Sequence, residues 1–222
     1  MEHELHVYES ADEVAKAAAT YVAQRMGALA ERELPFTFAL SGGKSPWLMF
    51  DELANEDVAW EKVRIFQVDE RVVPEDDDLR NLKHLRSSLH GTDAVIEPMD
   101  VNSDDLEAAT QRYAVALPER FDLVHLGLGP DGHCASLIPG DPVLEITDRL
   151  VALSGPYQDS IRMTLTYPAL ARADQLLWLV TGEDKRDALA KLLQHDPSIP
   201  AGRVVASASL IIADRAAMGP SA

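Results

Sequence analysis

The sequence predicts an α/β fold, a mostly parallel sheet with helices on both faces, and three observations predict it. Short apolar runs rich in β-branched and aromatic residues alternate with amphipathic segments along the chain. Several of those runs end in glycine or charged residues at their carboxyl ends, where such sheets carry their ligands. At 222 residues, 46% hydrophobic and 26% charged, the chain can bury one substantial core. No repeat, low-complexity tract or composition break marks a linker, so residues 1–222 are expected to form one domain.

Residues 5–8 read as the first strand. Ser10 and Glu13 then form a capping box, and Val14, Ala17, Ala18, Tyr21, Val22 and Met26 recur at helical period, predicting a helix to about Ala30. Residues 36–40 form a strand that runs into Ser41-Gly42-Gly43-Lys44-Ser45-Pro46, where Ser45 suits a cap and Pro46 a first helical turn. That helix extends over 46–53. Residues 63–68 form a strand ending in Asp69-Glu70-Arg71, followed by the acidic run 75–78, a solvated loop with no histidine or spaced carboxylate to make a metal site. Helical patterns cover 82–89 and 104–117. Residues 122–126 form a strand that opens into glycines, and a candidate strand at 150–153 runs out at Ser154-Gly155-Pro156. Strands at 161–165, 175–180 and 210–213, with a helix at 184–194, complete the pattern, and residues after Met218 are expected to fray.

The formal charge of −17 argues against nucleic acid and against an anionic membrane face, and its plain explanation is solubility. An anionic substrate would need a local basic pocket. One cysteine, Cys134, excludes an internal disulfide framework and fits a reducing, cytoplasmic setting. The N-terminus lacks a secretory signal and no apolar run approaches a membrane span. No apolar stripe is left over from the core, which makes a monomer reasonable.

The segment at 121–140, FDLVHLGLGPDGHCASLIPG, fits two incompatible readings. Gly127, Gly129 and Gly132 satisfy the dinucleotide spacing G-x-G-x-x-G directly after a strand, yet His133 follows at once and Pro139 soon after. Proline removes a helical donor, so at most about two turns fit before it and no long crossover helix can start there. A glycine turn that presents an imidazole fits better, with His133 as a general base near neutral pH. Cys134 reads as a small buried thiol, and His125 as a satisfied core residue.

The Ser41-to-Ser45 loop resembles a phosphate cradle, because its paired glycines let backbone amides approach an anion at a helix N-terminus. A nucleotide P-loop would need glycine where Phe38 stands. A tight turn with no ligand is the plain alternative. Asp69 and Arg71 alternate along one strand and share a direction, which suits either a site or a surface ion pair. Arg162 sits among apolar neighbours, so it is expected to be paired or to face a ligand. Lys185 opposes the dipole of the helix it starts unless an anion sits there. No Cys/His cluster has the spacing of a metal site, and no cofactor is expected.

Together the motifs SGGKSP, VDERVVP, GLGPDGHCASLIPG, RMTLTYPAL and GEDK resemble, in order and across nearly the whole chain, those of the 6-phosphogluconolactonase family within the glucosamine-6-phosphate isomerase/6-phosphogluconolactonase superfamily. The resemblance implies a modified Rossmann-like fold and a cytoplasmic, cofactor-free hydrolase of 6-phosphogluconolactone in the oxidative pentose phosphate pathway. It implies His133 as general base with Asp131 orienting it, and Arg71 stabilising charge or holding sugar hydroxyls with Asp69. It implies a phosphate site of Ser41, Gly42 and Gly43, within the loop that carries Lys44, together with Arg162 and Lys185, and it sets Asn81 near the substrate. Cys134 departs from the family's usual threonine and Arg80 from its usual serine. The nearest rival, glucosamine-6-phosphate deaminase, carries a glutamate shortly after the histidine, where Ser136-Leu137-Ile138-Pro139 offers no carboxylate. A non-catalytic sugar-phosphate sensor is the rival of another class.

Overall fold

The computed structural model describes residues 2–29 and 32–219. Its strands, in chain order, are β1 (His3–Tyr8), β2 (Phe36–Leu40), β3 (Val63–Gln67), β4 (Asp69–Arg71), β5 (Val95–Glu97), β6 (Leu123–Gly127), β7 (Val151–Tyr157), β8 (Ser160–Leu165), β9 (Gln175–Val180) and β10 (Ala208–Asp214). The helices are α1 (Ala11–Ala28), α2 (Lys44–Leu53), α3 (Asn81–Ser88), α4 (Leu106–Ala116), α5 (Tyr167–Leu170), α6 (Arg186–Leu193) and α7 (Arg215–Met218). Seven strands form a wholly parallel sheet in the order β1-β10-β9-β6-β2-β3-β5.

Successive strand residues point to opposite faces, and the sheet sorts its apolar residues accordingly. Phe36, Phe38, Leu40, Val63, Ile65, Leu123 and Leu177 pack under α1, α2 and α3. Ala39, Phe66, Val124, Leu126, Leu176 and Trp178 pack on the opposite face with α4 and α6. Helices therefore cover both faces, as the alternating pattern predicts. Among the described residues, no helix is long and apolar enough to cross a membrane.

At α1 the Glu13 amide donates to Ser10 Oγ at 3.3 Å, as a capping box requires, but the Glu13 carboxylate accepts from the Glu9 amide rather than that of Ser10. The expected end of this helix at Ala30 and the expected frayed residues 220–222 lie outside the described residues. Asp105, not Asp104, caps α4, and α6 begins at Arg186 after a single 3-10 turn over Glu183–Lys185.

Two expectations need correction. Residues 161–165 suggest another strand of the main sheet, but β8 lies at the centre of a separate antiparallel sheet, β4-β8-β7. Local periodicity does not encode which partner a strand takes. The strand expected to end at Ser154 instead continues through Gly155 and Pro156 to Tyr157, across a register shift. This strand is at the edge of its sheet, where proline forfeits no essential ladder bond.

His125 is buried in β6 as expected, level with Leu40 and Leu177, but it is not satisfied: neither ring nitrogen hydrogen-bonds any described residue. Burial pushes its pKa from the ordinary 6.5 down to about 3. Between those values the unfolded chain binds a proton that the folded chain refuses, so stability falls as the pH drops below 6.5. At pH 4.5, two units below the ordinary value, the expected loss from this group is about 3 kcal/mol. His125→Leu should flatten that acid limb when urea midpoints are compared at pH 7.5 and 4.5, and an unchanged limb would count against it.

Candidate active site

Chain order runs outward from β2 through β3 to β5, then returns to β6 on the other side of β2 and continues through β9 and β10. The reversal falls between β2 and β6, so the loops at their carboxyl ends diverge and open a crevice. A cleft of about 440 Å³ occupies this position. Ser41, Gly42, Gly43 and Lys44 from the β2–α2 loop line it, with Asp69 and Arg71 from β4 and Asn81 from the start of α3. His133, Arg162 and Lys185 complete the set from three further loops and strands, and Asp131 stands beside His133. Every sequence-predicted site residue thus reaches one region.

Gly43 is the N-cap of α2, and no side chain satisfies the first amides of that helix. Ser45, expected to cap, lies inside the first turn, and its Oγ is 3.1 Å from Thr181 Oγ1. The helix starts two residues before Pro46, which the first turn tolerates because the prolyl nitrogen has no helical acceptor to find there. Ser41 Oγ is buried with no hydrogen bond to any described residue. Free helix amides, this hydroxyl and Lys44 offer donors without acceptors, the chemistry of an anion site. Lys185 lines the same wall but also pairs with Asp184 at 2.9 Å.

Across the cleft, β4 sets Asp69 and Arg71 on one side and turns Glu70 into the interior. Asp69 Oδ2 accepts from Ser136 Oγ at 2.7 Å. Burial raises the Asp69 carboxyl above its ordinary pKa, against the opposing pull of Ser136, Arg71 and Arg162. Arg71 Nη1 donates to Asn81 Oδ1 at 2.7 Å, and Asn81 Nδ2 donates to the Asp69 carbonyl at 3.0 Å.

Glu70 has a role that no local sequence signal announced. It is fully buried and accepts from Gln67 Nε2, the Arg71 amide and the Asn81 and Leu82 amides at 2.8–2.9 Å. Arg80, at the N-cap of α3, is itself a donor and cannot accept those first amides; Glu70 replaces the missing cap. Arg80 is buried too, with Nε 3.3 Å from Glu70 Oε2 as an ion pair and Nη1 on the Val73 carbonyl and Asn102 Oδ1. Arg80 therefore ties the Val73 carbonyl and Asn102 to the capping carboxylate.

The glycine segment has no α-helix between β6 and Pro142, so the dinucleotide reading, which the glycine spacing allows and Pro139 opposes, fails on structure. Gly132 turns the chain at φ +84°, and a Cβ there would lie 2.4 Å from Ile199 Cβ. At Gly129 a Cβ would lie 2.1 Å from His133 Nδ1, so only glycine leaves room for the imidazole to fold back. His133 Nδ1 lies 2.6 Å from Asp131 Oδ1. Burial opposes ionisation of Asp131, but the amide and imidazole of His133 outweigh it and hold the carboxyl below its ordinary value. A carboxylate only accepts, so the Nδ1 on this contact carries a proton, and in the neutral imidazole Nε2 is then the nitrogen with the lone pair. Cys134 is fully buried and its thiol is pushed up by burial, the inert reading.

Arg162 faces Arg71 across the β4–β8 pair and is 4% exposed. Its Nη2 makes only long hydrogen bonds, 3.4 Å to the Tyr157 carbonyl and 3.3 Å to Gln158 Oε1, and Nε makes none among the described residues. Tyr157 and Gln158 also line the cleft, and sequence reasoning missed them because their strand was expected to end before Gly155. Among the described residues no group of three or more His, Cys, Asp and Glu side chains is arranged to hold a metal ion.

Comparison with known proteins gives the same direction. The 6-phosphogluconolactonase of Mycobacterium tuberculosis is 34% identical over the full length of both chains. That of Synechocystis is 36% identical over 72% of this chain and 73% of its own. The crystal structure of 6-phosphogluconolactonase from Thermotoga maritima superposes with a TM-score of 0.86 at 26% identity, covering 96% of this chain and all of that one. A monomeric glucosamine-6-phosphate deaminase superposes as well, with a TM-score of 0.85, but at 19% identity it shows the fold alone. The model of the family described as glucosamine-6-phosphate isomerases/6-phosphogluconolactonase matches residues 9–212, and with these relatives it shows that the chain belongs to that family.

Proposed function

We propose that this chain hydrolyses 6-phosphogluconolactone to 6-phosphogluconate in the oxidative pentose phosphate pathway. The observation that carries the proposal is the Asp131–His133 pair on the wall of a cleft whose other polar groups are mainly cationic or donors. Neutral His133 accepts a proton at Nε2 from a water as that water's oxygen adds to the lactone carbonyl. The resulting oxyanion is stabilised by Arg71, held toward the cleft through Asn81. Collapse breaks the bond to the ring oxygen, which takes the proton back from the imidazolium, and the new acid ionises. No carboxylate follows the histidine within Ser136-Leu137-Ile138-Pro139, which favours this chemistry over deamination.

The substrate phosphate belongs with Ser41, Gly42, Gly43, Lys44, Arg162 and Lys185. A chain with charge −17 that gathers these cations in one cleft has answered the problem of binding an anion against its own field. The deciding experiment measures lactone hydrolysis directly, beside ammonia release from glucosamine-6-phosphate. Lactone turnover without ammonia is expected, and the reverse would overturn the proposal. Arg162→Ala and Lys185→Ala should each raise KM for the phosphorylated lactone by roughly 10- to 100-fold. Equal losses on an unphosphorylated lactone would count against the phosphate assignment.

A further inference from the structure

The tip of the β7–β8 hairpin makes contacts that neither the phosphate cradle nor the acid–base pair requires. Tyr157 and Ser160 pair across a two-residue turn, and the turn residues Gln158 and Asp159 both stand at positive φ, 52° and 64°. Primed hairpin turns demand such angles and normally fill them with glycine or asparagine. Gln158 therefore carries backbone strain at a position that lines the cleft.

From this tip Tyr157 makes three contacts with groups of the site. Its hydroxyl lies 3.3 Å from Asp131 Oδ2, the oxygen that His133 does not use. Its ring meets the His133 imidazole edge-on, with centroids 5.3 Å apart at 64°. The Arg162 guanidinium sits over the same ring, 5.2 Å from its centroid. Burial and the adjacent Asp131 carboxylate raise the phenol's pKa, so at neutral pH it is protonated and donates.

We infer that Tyr157 is a positioning residue that fixes the Asp131–His133 pair and, through the same ring, sets the direction of Arg162. A carboxylate held at both oxygens cannot rotate about its Cβ–Cγ bond. Its Oδ1 then stays on Nδ1, and His133 is locked in the tautomer that leaves Nε2 free for the water. Arg162, with few firm hydrogen bonds of its own, gains its orientation from the aromatic face. One residue of the hairpin thus couples the acid–base pair to the anion site.

This inference rests on His133 being the general base, so its test includes a readout that does not depend on turnover. Tyr157→Phe keeps the ring and loses the hydroxyl; Tyr157→Ala loses both. Tyr157→Phe should lower kcat for the lactone by about 5- to 20-fold with KM unchanged, the effect of one lost hydrogen bond. Tyr157→Ala should also raise KM, because Arg162 loses its platform. Nitrogen-15 NMR of histidine-labelled protein, with His133 assigned by its absence in His133→Gln, should show one Nδ1–H tautomer in the wild type and a mixture in Tyr157→Phe. A single unchanged tautomer with wild-type kcat in Tyr157→Phe would overturn the inference. If instead His133→Gln retains full activity, the general-base reading fails while the tautomer measurement still judges Tyr157.

Discussion

Replacing His133 with alanine is expected to lower kcat for 6-phosphogluconolactone by roughly 10²- to 10⁴-fold, with little change in KM. The imidazole is held by Asp131 at 2.6 Å and has room to fold back only because Gly129 carries no side chain. It is not among the groups assigned to phosphate, so binding should survive its loss while proton transfer does not. The range corresponds to about 3–5 kcal/mol of transition-state stabilisation, a typical share for one general base. Steady-state kinetics with direct detection of the lactone checks it. An unchanged kcat would remove His133 from the chemistry.

Replacing Glu70 with alanine is expected to cost about 3–5 kcal/mol of stability, because it strands the buried Arg80 charge and leaves backbone donors unpaired. Arg80 is only 2% exposed, so little water can replace the lost partner. The same change frees the start of α3, so Asn81 should lose its hold on Arg71 and activity should fall beyond what the unfolded fraction explains. Urea unfolding followed by circular dichroism tests the first effect, and kcat/KM well below the melting range tests the second. A urea midpoint equal to that of the wild type would show that the carboxylate is not the support its contacts suggest.

Six of the seven strands of the main sheet, the first helix and the strand-end loops were legible because each rests on local signals: period, capping and glycine or proline punctuation. The short edge strand β5, three residues long, was too brief to carry a period. His133 stood out by following a glycine turn, and Arg162 by its charge among apolar neighbours. Glu70 gave no such signal. In the sequence it is the middle of an ordinary Asp-Glu-Arg triplet, and its value comes from Asn81 and Leu82, brought close by the fold. Tyr157 was hidden for a different reason, since Gly155 and Pro156 read as a break until the edge position of β7 made them tolerable. Ser45 was misread because serine caps and serine within a first turn look alike without the backbone angles.

The sequence by itself determined the α/β class, the parallel sheet, the loops that carry polar groups and the incompatibility of the glycine segment with a crossover helix. These follow from interactions among residues a few positions apart. The tertiary structure alone decided that the strand carrying Arg162 leaves the main sheet to pair with Asp69–Arg71, that Glu70 caps a helix eleven residues away, and that Tyr157 reaches Asp131 from a hairpin twenty-six residues away. Those contacts depend on strand partners and on the reversal between β2 and β6, and no local pattern of side chains encodes either.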